Sequence, residues 1–112
     1  MTETKTTNTQ TPWELRLLAT MFGNEILSKP IDEEKLKKIK RLMAGILFEL
    51  DPKEETVIRM HFGALTNAPK TLEEVGELLG VTRERVREIE EKALNRLKHP
   101  ERARRIRSFL ED

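Results

Sequence analysis

Between Thr82 and Lys92 the chain alternates charge: Arg83-Glu84-Arg85-Val86-Arg87-Glu88. Arginine carries a planar fork of donors that fits guanine O6 and N7, or a phosphate, in a bidentate way. An ionised glutamate only accepts, and among base edges the cytosine amine suits it. The acids also temper indiscriminate phosphate attraction. This is chemistry for reading a polar surface rather than for breaking bonds. The two histidines, His61 and His99, are far apart, with no Ser/Asp spacing or phosphate loop near them, so no enzyme is expected. The competing structural reading is a solvated helix face stitched by Glu84–Arg87 and Glu88–Lys92, each worth about 0.3 kcal/mol. Against it, Arg83–Arg87 and Glu84–Glu88 are like-charged i,i+4 neighbours, which do not stabilise a helix.

The charges need a helix to present them. Val86, Ile89, Ala93, Leu94 and Leu97 form an apolar stripe at helical spacing, which leaves Arg83, Glu84, Arg87, Glu88 and Glu91 outward. Thr82 is placed to cap this helix. Thr71-Leu72-Glu73-Glu74 is a capping box for a preceding short helix that Gly80 ends. A three-residue turn containing glycine predicts a helix-turn-helix. Gly76 inside the first helix costs about 1 kcal/mol against alanine, tolerable if it admits a close crossing. Val81 is read as an apolar plug beneath the turn. In such a unit the first two turns of the second helix enter the DNA major groove.

Upstream, Pro12 opens a helix-compatible run, "WELRLLATMFGNEILS", with Leu18, Met21, Phe22 and Ile26 near one face and Gly23 as its weak point. Lys29-Pro30 should stop it. Asp32 caps a second helix whose seam, Leu36, Ile39, Met43, Ile46 and Leu50, is broadened by Leu42 and Leu47. The seam is expected to pack on Leu18 and Phe22, dimerisation being the alternative. Asp51-Pro52-Lys53-Glu54 starts a third helix over "PKEETVIRMHF", stopped by Gly63. "GALTNAPK" is a loop, and after His99-Pro100 a last helix turns Ile106, Phe109 and Leu110 inward. No strand or repeat signal appears. The expected fold is all-α, with a disordered leader at 1–11, a two-helix N-terminal arm at 12–49, and a domain at 50–112 whose helix-turn-helix occupies 71–98.

Composition narrows the function classes. The 112 residues include no cysteine, which excludes disulfides and thiolate metal sites, and no cofactor is expected. No run approaches 18 apolar residues, and "MTETKTTNTQTP" lacks the apolar core of a secretion signal. The cytoplasm is the simplest compartment, with no membrane partner. The net charge of +1 hides an asymmetry, because residues 83–107 hold ten basic and five acidic residues. That imbalance fits an electrostatic footprint for nucleic acid.

"TLEEVGELLGVTRERVREIEEKALNRLKHP" closely resembles the C-terminal, minus-35-binding domain of primary bacterial sigma factors. "LDPKEETVIRMHFG" resembles the helices before it and "IRSFLED" the family's tail, so the likeness runs from about Leu50 to Asp112. Residues 1–49 resemble no known family and are too few for the other sigma domains. The expectation is a freestanding sigma-like domain, with Met1 a native start. The resemblance implies a helix-turn-helix that reads the promoter minus-35 element and an apolar surface that grips the flap tip of the RNA polymerase β subunit. Carried over by position, Arg83 and Glu84 match base contacts, while Thr82, Arg87 and Lys92 match phosphate or groove contacts. Phe62, Leu97 and Leu110 match apolar positions implicated in flap or regulator binding, core packing being their other reading. Glu88 stands where the family usually has glutamine, and His61 where it has an arginine that helps grip the DNA backbone.

The expected function is therefore a transcription regulator acting at initiation with promoter DNA, the polymerase core, or both. A separate sigma subunit is a further candidate partner. The alternative class is a protein-interaction module that occupies the β flap or an anti-sigma factor and binds DNA weakly.

Overall fold

The computed structural model describes residues 11–65 and 68–111, Glu111 without its side chain. Residues 1–10 of the leader expected over 1–11, residues 66 and 67 of the expected loop, and Asp112 lie outside them. Six helices, a 3-10 turn and no strand make up the described residues, so the fold is all-α. The elements are α1 Trp13–Phe22, a 3-10 turn Asn24–Leu27, α2 Glu33–Leu47, α3 Pro52–Phe62, α4 Leu72–Leu79, α5 Arg83–Leu97 and α6 Pro100–Glu111.

The helix boundaries follow local chemistry. The Asp32 carboxylate accepts from Lys35 N at 2.8 Å, and Thr71 and Glu74 exchange side chain-to-backbone bonds at 2.8 and 3.0 Å. Pro52 fills the first position of α3, where its missing N–H costs nothing. The first helix is shorter than its apolar pattern suggested. It stops at Phe22, because Gly23 adopts φ +92° and the chain continues as a 3-10 turn. Glycine reaches that region without steric cost and loses the most entropy inside a helix, so the break falls there.

The apolar side chains divide into two clusters. The larger gathers Leu17, Leu18 and Met21 of α1, the α2 seam, Ile58 and Phe62, Ala93 and Leu97, and Ile106 and Leu110 of α6. Ile39, Met43, Ile46 and Leu50 are buried as the seam spacing required, with Leu36 half-buried. The seam is thus covered within the chain by α1, with Phe22 half-buried beside it. Each fully buried leucine or isoleucine contributes about 1.5–3 kcal/mol of transfer free energy. The smaller cluster, Val57, Val75, Val86 and Ile89, holds α4 against α3 and α5, flanked by Met60 and Leu72.

Helices α3 and α5 take part in both clusters. Val57 points to the small one and its neighbour Ile58 to the large one, while α5 contributes Val86 and Ile89 to one and Ala93 and Leu97 to the other. Polar ties reinforce this pair. His61 Nδ1 donates to Glu90 Oε2, and Arg96 reaches Glu54 at 3.2 Å and Asp51 at 3.8 Å. Elsewhere Glu49 takes Arg102 at 2.6 Å and Arg105 at 3.2 Å, and these guanidiniums, Arg102 foremost, hold its carboxyl below the usual range. Lys35 Nζ donates to the Leu110 carbonyl at 2.6 Å, joining α2 to the end of α6. One polar atom departs from this economy: Glu14 is 6% exposed and its Oε1 has no hydrogen-bond partner among the described residues. A buried acceptor left so costs about 1–3 kcal/mol.

Candidate nucleic-acid interface

The candidate interface is built on the turn between α4 and α5. Gly80 caps α4 in the left-handed region, φ +73° and ψ 32°, which glycine adopts freely. Val81 N then donates to the Gly76 carbonyl at 2.9 Å. A Cβ on Gly76 would stand 2.7 Å from the Val81 carbonyl oxygen, so glycine is what lets the turn fold back onto α4. The close approach read from Gly76 is therefore present, made by the turn's own backbone. Val81 is not a plug, however. It is 37% exposed, and the space beneath the turn belongs to Val75 and Val86.

Thr82 opens α5, its Oγ1 accepting from Arg85 N at 3.1 Å. A hydroxyl has one donor and two lone pairs, so capping leaves its O–H free for an outside acceptor. Val86, Ile89, Ala93 and Leu97 are buried as the stripe required. Arg83, Glu84, Arg87, Glu88, Glu91 and Lys92 are all exposed. Every residue assigned to DNA contact is thus exposed, from the Thr82 cap through the third turn of α5, and at the N-terminal end of the helix free backbone N–H groups and the helix dipole also favour phosphate.

Two features were missed in the sequence. Arg85 is exposed on the same helix and its Nη1 donates to Glu88 at 3.2 Å, an i,i+3 pair in place of the Glu84–Arg87 and Glu88–Lys92 pairs considered above. The three-residue spacing was the available signal. Glu90 is buried, 9% exposed, one turn beyond Val86 on the inward stripe, where an acid needs a partner. His61 supplies it from α3, so His61 faces α5 and is committed to an internal bond.

Phe62, Leu97 and Leu110 are 8%, 0% and 8% exposed, all within the larger cluster. In this conformation they are core residues and offer no free surface to a partner. The exposed large apolar side chains are instead Phe48, Leu65, Leu78, Leu79 and Val81. Among the described residues no group of three or more His, Asp or Glu could hold a metal, and no helix is long and apolar enough to cross a membrane.

Two helices joined by a left-handed glycine turn, the second threonine-capped and charged over its first two turns, define a helix-turn-helix protein. Comparison with known families narrows this: residues 46–99 match Sigma-70, region 4, and the chain carries a region 4 domain of that family. The RNA polymerase sigma factor SigA of a Bacillus species is 45% identical over 82 residues, 73% of this chain and 22% of that protein. SigA of Listeria monocytogenes is 43% identical over 94 residues, 84% of this chain and 25% of that protein, and SigA of Listeria innocua gives the same figures. The chain spans about a quarter of the length of these curated relatives. A 94-residue stretch of 112 takes in residues 19–94 wherever it begins, so the likeness reaches through α2. The expectation that nothing before Leu50 resembles the family is corrected accordingly.

Proposed function

We propose that this chain is a sigma-factor-like regulator of transcription initiation, acting in the cytoplasm, that binds minus-35-like promoter DNA through the first turns of α5 and associates with the RNA polymerase core. The observation that carries the reading is the exposure of Arg83, Arg87 and Lys92 along α5, which the Thr82 cap opens. Arg83 and Glu84 are assigned to base edges, and Thr82, Arg87 and Lys92 to phosphates. Glu88, held by Arg85, disfavours adenine at its base pair because it cannot donate. Binding of labelled duplexes with and without a minus-35-like element tests this; equal affinity for both overturns sequence reading by α5.

A second reading is a module that binds the β flap or an anti-sigma factor with little DNA affinity. The exposed carboxylates Glu84, Glu88 and Glu91, interleaved with the arginines, favour it. Co-purification with core polymerase, with and without the β flap tip, separates the two: capture that needs the flap, without duplex binding, supports the second.

A further inference from the structure

Helices α2, α3, α5 and α6 enclose only part of the larger core. α1 packs against α2 and α3 and contributes Leu17, Leu18 and Met21 to the cluster that also holds Phe62, Leu97 and Leu110. A hydrogen bond and a cation–π contact are among the interactions that hold α1 there. Arg16 Nη2 donates to the Phe62 carbonyl at 2.6 Å, at the end of α3 where helical carbonyls lack partners and attract cations. Arg107 of α6 lies over the Phe22 ring at 4.8 Å.

Other features loosen the same junction. The one unpartnered buried side-chain atom among the described residues, Glu14 Oε1, is on α1. A cleft of about 300 Å³ remains between Phe22, Ile26 and Lys29 on one side and Arg107 and Leu110 of α6 on the other. The chain leaves α1 through Gly23, a 3-10 turn and Pro30, so no continuous helix couples α1 to α2. The ion pairs that lock α3 to α5, and α6 to Glu49, involve no residue of α1. The region 4 match at 46–99 also lies outside it.

We propose that α1 is a displaceable lid, and that the apolar surface made by Phe62, Leu97 and Leu110 becomes available to a partner helix when α1 lifts. The partner that fits is an amphipathic helix repeating the pattern of α1: a cation at the place of Arg16, two adjacent apolar residues, and a third one turn on. This deepens the polymerase reading above, on which it rests only for the partner's identity; the lid itself does not depend on that reading. In the closed state Phe62, Leu97 and Leu110 pack as core residues, and in the open state they form the docking surface.

Hydrogen exchange on the full wild-type chain tests the lid directly. The amides of α1 should exchange at least about tenfold faster than those around Ile58 and Leu97, reporting an opening that leaves α3 and α5 intact. Equal rates make α1 part of one cooperative unit and overturn the proposal. A second measurement uses a labelled peptide of residues 12–28 added to full-length Leu18→Asp, whose own α1 cannot dock. The peptide should bind that chain at least about tenfold more tightly than wild type, and equal binding, or none, overturns the proposal. Trp13, the chain's one tryptophan, should red-shift in the variant as α1 leaves the core. Core RNA polymerase should then retain Leu18→Asp better than wild type. If the exchange and peptide results hold while polymerase retains neither chain, the lid stands and the polymerase reading fails.

Discussion

His61 on α3 donates its Nδ1 hydrogen to Glu90 on α5, a bond between residues 29 apart in the chain. It joins the two helices that span both apolar clusters, so the orientation of α5 depends on a polar pair as well as on packing. Glu90→Ala leaves a half-buried imidazole donor without its acceptor and is expected to cost about 1–3 kcal/mol. Glu90→Gln keeps an acceptor and should cost less. Urea unfolding of both variants checks this, and equal stability for Glu90→Ala and wild type contradicts it.

Gly76 and Val81 set the geometry of the turn. Alanine at 76 gains about 1 kcal/mol of helix propensity. Its Cβ, however, would meet a backbone carbonyl at 2.7 Å, which has to shift rather than rotate away. Overpacking of this kind costs about 1–3 kcal/mol, so Gly76→Ala should be net destabilising. A thermal midpoint raised by the substitution contradicts the close approach.

Glu49 gives the fold an acid-sensitive contact. Its folded-state pKa is lowered by Arg102 and Arg105 relative to the unfolded chain, whose glutamates titrate near about 4.3. The sign follows: the contribution is fully present above the unfolded value and is lost as pH falls through the lowered folded value. Stability measured from pH 7 to pH 2 should therefore fall less steeply on the acid side in Arg102→Ala than in wild type. Parallel curves contradict the assignment.

Glu88 is expected to limit binding to a standard minus-35 element. Glutamine both gives and takes hydrogen bonds, and good bidentate contacts discriminate by about 1–3 kcal/mol. Glu88→Gln also releases Arg85 from its 3.2 Å pair. Affinity for a standard minus-35 duplex should rise, with preference changing at the one base pair facing residue 88. Titration of duplexes varied at that pair checks this; unchanged affinity and preference contradict it.

Much of the fold was legible because local signals agreed. The Thr71 box, Gly80, the Thr82 cap and the Val86–Leu97 stripe all point to the same turn, and α4 and α5 begin and end where those signals fall. Gly23 was visible as a weak point, but apolar periodicity continued past it to Ile26, and spacing alone does not distinguish a broken helix from an intact one. The outward charges of α5 followed from the same stripe. Glu90 and His61 did not, because a buried acid–imidazole pair is made by two helices meeting, and neither helix announces it. Phe62, Leu97 and Leu110 carried two readings in sequence, core or surface. Only the assembled helices show that all three are buried in the larger cluster.

The central claim, that the first turns of α5 bind DNA, is tested most directly by a salt series of duplex affinities for wild type and Arg87→Ala. Log K should fall linearly with log salt, and each phosphate contact contributes about 0.9 to the slope. Arg87→Ala should weaken binding to minus-35-like and scrambled duplexes alike and flatten that slope by about one such contact. Equal affinities and slopes for the two proteins on both duplexes contradict DNA contact by this face of α5.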